Sequence, residues 1–75
     1  MLLLDDLDWI VAPPDDDYRR RYVALRRSYY VVYENCDGTY DFCTGRRDLP
    51  DWEDLDKLTA QCVLNHLLDS IAKVT

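Results

Sequence analysis

Hydrophobic and polar positions fall into different rhythms along this chain. From Leu2 to Val11 the apolar residues recur at helical spacing: Leu3, Leu4, Leu7, Ile10 and Val11 share one face, while Asp5, Asp8 and Trp9 point away. That spacing predicts a helix, ended by Pro13-Pro14, because proline lacks a donor and disfavours a helical predecessor. The rival is a strand confined to Trp9-Ile10-Val11-Ala12. Residues 16–28 carry two readings. As a helix over 16–27 they align Tyr18, Tyr22 and Leu25, with Asp15, Asp16 and Asp17 at the N-terminus and Arg26 and Arg27 at the C-terminus, the order a helix dipole favours. As a strand from Tyr22 they alternate Val23, Leu25, Arg27, Tyr29, Val31 and Tyr33 onto one face.

The period of two is clearest at Tyr29-Tyr30-Val31-Val32-Tyr33 and Thr39-Tyr40-Asp41-Phe42-Cys43, which flank the turn pair Asp37-Gly38 and predict a hairpin. A two-residue loop would set Glu34 against Asp41, and like charges directly opposite destabilise a ladder. A three-residue loop with Gly38 in the left-handed bulge position instead pairs Glu34 with Tyr40 and Val32 with Phe42. That register is expected. Gly45 closes the strand, and Arg46-Arg47-Asp48-Leu49-Pro50 leads onward. Asp51 is the expected N-cap of a long last helix, with Asp54 three residues on. Trp52, Leu55, Thr59, Ala60, Val63, Leu64, Leu67, Leu68 and Ile71 follow one side of it, and Asp51, Asp54, Gln61, Asn65 and Asp69 the other. Asp56 intrudes on the apolar stripe. The expected fold is one α+β domain over residues 1–75: an antiparallel hairpin or three-stranded sheet against a long C-terminal helix, with one or two short N-terminal helical segments.

Composition fits a folded chain. With 75 residues, 48% hydrophobic and 12% aromatic, it is too apolar to stay disordered at a net charge of −6. A domain this small buries only about 60% of its unfolded surface, so its stability margin is narrow. Met1-Leu2-Leu3-Leu4 has no basic flank and is cut off by Asp5 and Asp6, so no export signal is expected; nor does any apolar run approach the roughly 20 residues of a membrane helix. Three cysteines, an odd number, fit a reducing compartment, and a cytoplasmic location is expected, the host's if the gene is a phage's.

Charge comes in blocks. Thirteen of the 15 acids are aspartates; Asp5, Asp6, Asp8, Asp15, Asp16 and Asp17 precede any cation, then Arg19, Arg20, Arg21, Arg26 and Arg27 follow without an anion to residue 33. Arginine interleaved with tyrosine suits nucleic acid, where guanidinium holds phosphate and rings stack on bases. Here the upstream aspartates supply partners for those arginines, and the net acidity opposes phosphate binding; no direct nucleic-acid contact is expected. Cys36, Cys43, Cys62 and His66 nominally form a Cys3His set, but C-x6-C on a hairpin holds the first two apart along their strands. They are expected to be plain thiols, without metal or cofactor. His66 is the only histidine, no third group orients a Cys–His pair, and Gly38 and Gly45 make no phosphate loop, so no enzyme is expected.

Surface remains. Asp5, Asp6 and Asp8, with Asp51, Glu53, Asp54 and Asp56, are the candidate partner-binding residues: acids that can enter a basic, nucleic-acid-binding groove of a partner protein, with fast and salt-sensitive association. The expected function is a non-enzymatic inhibitor or modulator. In kind, though through no particular motif, such a tiny acidic domain is similar to the anti-defence proteins of phages, anti-CRISPR proteins among them. The alternative is a homodimer through Trp9, Leu58 and tyrosines left outside a small core.

Overall fold

The computed structural model describes residues 2–25, 29–44 and 50–74, with side chains as far as residue 69. A single 3-10 turn at Leu4–Asp6 precedes five strands: β1 (Ile10–Val11), β2 (Arg19–Ala24), β3 (Tyr30–Asn35), β4 (Tyr40–Thr44) and β5 (Pro50–Leu55). The helix α1 (Lys57–Val74) follows. The strands form one antiparallel meander in sequence order, and α1 lies against β4 and β5. This is the α+β arrangement expected, with five strands instead of two or three.

The β3–β4 hairpin has the predicted register. Val32 faces Phe42 and Glu34 faces Tyr40, with Gly38 at φ +89°, a conformation that only glycine adopts without strain. Asp37 closes the loop by accepting from the Thr39 backbone N–H (3.0 Å) and hydroxyl (2.6 Å).

The core lies between the sheet and α1. Val23 and Leu25, Val32, then Tyr40 and Phe42 alternate onto the helix-facing side, and Leu4, Ala60, Leu64 and Leu67 close over them. Phe42, Val32, Ala60 and Leu64 are fully shielded from solvent.

A bulge in β2 shapes everything that follows. Arg19 faces Asn35 and Arg21 faces Glu34, so two steps on β2 match one on β3. Without it Arg19 and Arg21 would share a face; with it Arg19 turns to the side opposite the helix and Arg21 stays on the helix side. Arg20 is the extra residue and is exposed.

Two sequence expectations are corrected and one open choice is decided. The segment from Leu2 to Val11 is not a continuous helix: one 3-10 turn buries Leu4, and the chain then extends into β1. Trp9 packs inward against the core, whereas Val11 is 81% exposed, the reverse of the helical face. The indole N–H donating to the Leu4 carbonyl at 2.7 Å fixes this inversion, which no local pattern encodes. Of the two readings of residues 16–28, the structure takes the strand, which begins at Arg19 instead of Tyr22. Asp16 opens it by accepting from the backbone N–H groups of Tyr18 (2.9 Å) and Arg19 (2.8 Å), a turn rather than a helix start. Residues 26–28, which hold Arg26 and Arg27, and 45–49, which hold Gly45, Arg46, Arg47 and Asp48, lie outside the described residues.

Nor does the helix begin at Asp51. Trp52 faces Phe42 across the β4–β5 pair, with ring centroids 6.2 Å apart and edge-on, and Leu55 faces Tyr40. The sheet therefore claims these apolar positions. Asp56 is the cap: its side chain accepts from the backbone N–H of Thr59 at 2.7 Å, while its carbonyl takes the first helical bond from the Ala60 N–H at 2.9 Å. The acid that broke the apolar stripe marks where the helix starts.

Candidate functional site

The described arginines of the basic block, Arg19, Arg20 and Arg21, pair internally. On the face away from the helix, Arg19 donates from Nη1 to the Asp41 carboxylate and to Asn35 Oδ1 (2.7 Å). Asp41 is 1% exposed, and its Oδ1 also accepts from Asn35 Nδ2 (3.1 Å) and from the Asp54 backbone N–H (2.8 Å). The Arg19 guanidinium lies 4.1 Å from the Tyr33 ring centre and 4.6 Å from that of Tyr18. On the helix side, Arg21 donates from Nε to Glu34 Oε1 at 2.7 Å and covers the Trp9 ring at 4.3 Å. Glu34 also accepts from the Tyr40 hydroxyl at 2.9 Å, and Arg20 stands 3.8 Å from it. Burial, with this carboxylate next, raises the Tyr40 pKa. Tyr18, Tyr33 and Tyr40 thus pack against these pairs.

The seven acids predicted to bind a partner do not form one patch. Asp5 sits at the start of α1: Lys57 Nζ donates to its Oδ2 at 2.7 Å, and Arg21 lies 3.7 Å from its Oδ1. The Lys57 hydrogen bond holds the Asp5 carboxyl below the usual carboxylate range and raises the lysine in turn. This contact joins residues far apart in sequence and ties Asp5 to Lys57, the first residue of α1. Asp56 is itself lowered, chiefly by the Thr59 N–H. Asp51 accepts from the Tyr30 hydroxyl at 2.8 Å. These three carboxylates have internal duties.

Asp6, Asp8, Glu53 and Asp54 are different. All four are exposed, and among the described residues none has an ion pair or hydrogen bond to its carboxylate. Glu53 and Asp54 stand on β5, Asp8 just before β1, so the open acids occupy opposite edges of the sheet. Four interstrand spacings at about 4.8 Å separate those edges by roughly 19 Å. Asp54 has φ +56°, a left-handed conformation rare outside glycine, held by its N–H bond to buried Asp41.

Cysteine and histidine do not converge. Cys43 is buried on the sheet face opposite the helix, next in alternation to Phe42, while Cys62 and His66 are exposed on α1 and Cys36 is exposed in the loop. Among the described residues no group of three or more His, Cys, Asp or Glu side chains could hold a metal ion. Among the same residues, no helix is long and apolar enough to cross a membrane.

The sequence reading missed one feature. Beside β1 an open groove of about 400 Å3 is lined by Leu7, Ile10, Leu25 and Leu68, together with the exposed Asp6 and Asp8. Its only sequence signal is the run Asp6-Leu7-Asp8, an apolar residue between two acids. Compared with protein-family models, with curated proteins and with solved structures, the chain finds no match in any of the three.

Proposed function

We propose that this chain is a non-enzymatic binding module that occupies a basic surface of a partner protein and so inhibits or modulates it, in the manner of phage anti-defence proteins. One observation carries the reading. Every described cation with a described side chain, Arg19, Arg20, Arg21 and Lys57, pairs with a carboxylate of its own chain, while Asp6, Asp8, Glu53 and Asp54 keep theirs open. Open carboxylates present negative charge, which steers a basic partner and repels phosphate. Affinity capture from source-cell lysate at about 0.05 M salt, repeated at about 0.5 M, tests this. A captured basic protein should be lost at high salt and with the triple variant Asp6→Lys/Asp8→Lys/Glu53→Lys, whose far-UV circular dichroism is unchanged. Capture that survives both sinks the proposal.

A self-associating module is the second reading, favoured by apolar exposure: Ile10 at 53% and Val11 at 81% on the edge strand, and Leu58 at 79% on the helix. Trp9, already packed inward, contributes little to such a face. Sizing at the same two salt concentrations separates the readings, because an apolar dimer does not weaken with salt.

A further inference from the structure

The groove beside β1 ends on an unfilled strand position. The Leu25 N–H donates to the Tyr30 carbonyl at 3.0 Å, so in an antiparallel ladder the neighbouring Ala24 turns its own N–H and carbonyl away from β3 and toward β1. On that side Ile10 faces Tyr22 and the Ala12 N–H reaches the Arg20 carbonyl at 3.0 Å. The next residue in that register would be Asp8, opposite Ala24. It is not there. The Trp9 N–H bonds back to the Leu7 carbonyl at 2.8 Å, a three-residue turn that lifts Asp8 off the ladder. β2 therefore runs past β1 with its edge exposed at Ala24, beside a largely apolar trough that the exposed Asp6 and Asp8 also line.

The geometry points to an extended basic–apolar segment of a partner protein as the occupant: backbone paired to the Ala24 edge, one apolar side chain in the trough, and lysine or arginine at Asp6 and Asp8. An edge of this kind takes main-chain hydrogen bonds, and alternate side chains supply the selectivity. The volume, about 400 Å3, is near the low end of binding pockets and suits one or two side chains. The acidic lip opposes lipid headgroups and nucleic-acid phosphate. This rests on the proposed function, since it names where and by what chemistry the basic partner docks.

The test uses the whole chain, labelled with nitrogen-15, and the acetylated peptide KLKLKL, with KSKSKS and ELELEL as controls. KLKLKL should shift the amide signals of Leu7, Asp8, Ala24 and Leu25 first. KSKSKS should bind at least tenfold more weakly, and ELELEL more weakly still. Asp6→Lys/Asp8→Lys should weaken KLKLKL by at least tenfold. Ala24→Pro, which removes the edge N–H and leaves the rim acids alone, should do the same. Equal binding of KLKLKL and KSKSKS overturns the groove and leaves plain charge attraction; so do shifts confined to Glu53 and Asp54. Shifts at the groove that grow with protein concentration alone show a second copy there and overturn it as well. No binding of KLKLKL, with salt-sensitive capture intact, removes this site but spares the proposed function; failed capture removes the function itself.

Discussion

Replacing Asp41 by alanine tests how the face opposite the helix is held. Asp41 is almost fully buried and accepts from three donors: Arg19 Nη1, Asn35 Nδ2 and the Asp54 N–H. Its removal leaves a largely covered guanidinium without its carboxylate, an amide short of one acceptor, and the left-handed residue after Trp52 and Glu53 without its anchor. Breaking a buried pair by deleting one member costs about 3–5 kcal/mol. Arg19 keeps 21% side-chain exposure and Asn35 keeps its bond to Thr39, which places the cost at the lower end, about 3 kcal/mol. For a domain of this size that is roughly 15 °C in melting temperature. Urea and thermal unfolding followed by circular dichroism measure it. The double variant Arg19→Met/Asp41→Leu, which removes both charges and preserves contact with Tyr33, should recover about half of the loss. A loss for Asp41→Ala below about 1 kcal/mol, the range of an exposed pair, would refute the reasoning.

Backbone conformation and the shifted carboxyl and amine groups give further outcomes. Asp54→Gly should raise stability by about 0.5 kcal/mol, because glycine accepts φ +56° without the steric cost of a Cβ; a loss in urea unfolding would mean the Asp54 side chain has an unseen role. Stability should fall in acid as pH drops through the lowered carboxyl values of Asp5, Asp16, Asp37 and Asp56, since each binds fewer protons folded than unfolded, and it should be fully present above pH of about 4. The raised Lys57 contributes below about pH 10.5 and loses its share as pH rises through its folded value. Asp56→Ala should flatten part of the acid limb, and Asp56→Ser should restore melting temperature without restoring that pH dependence.

How much of this was legible depended on whether a signal was local. The hairpin register followed from neighbours alone, since Gly38 and the repulsion between Glu34 and Asp41 both act within a few residues. Helix starts were less legible: Asp51 and Asp56 are equally good caps by composition, and only the pairing of Trp52 with Phe42 and Leu55 with Tyr40 decides between them. For the candidate site the acids were visible, but their availability was not. Asp5 and Asp8 look alike in sequence, yet one is bound to Lys57 and the other is open. The groove was invisible because Leu68 reaches it from the far end of the chain.

By itself the sequence determined an α+β chain, its central hairpin, its amphipathic last helix and its acidic excess, all consequences of side-chain period, turn chemistry and charge count. The tertiary structure alone decided which faces Arg19 and Arg21 take and hence which carboxylates they pair with. One bulged residue in β2 sends Arg19 to Asp41 and Arg21 to Glu34. A strand's faces alternate with every residue, so a single inserted position redistributes the charges, and pairing with β3 is what fixes that position.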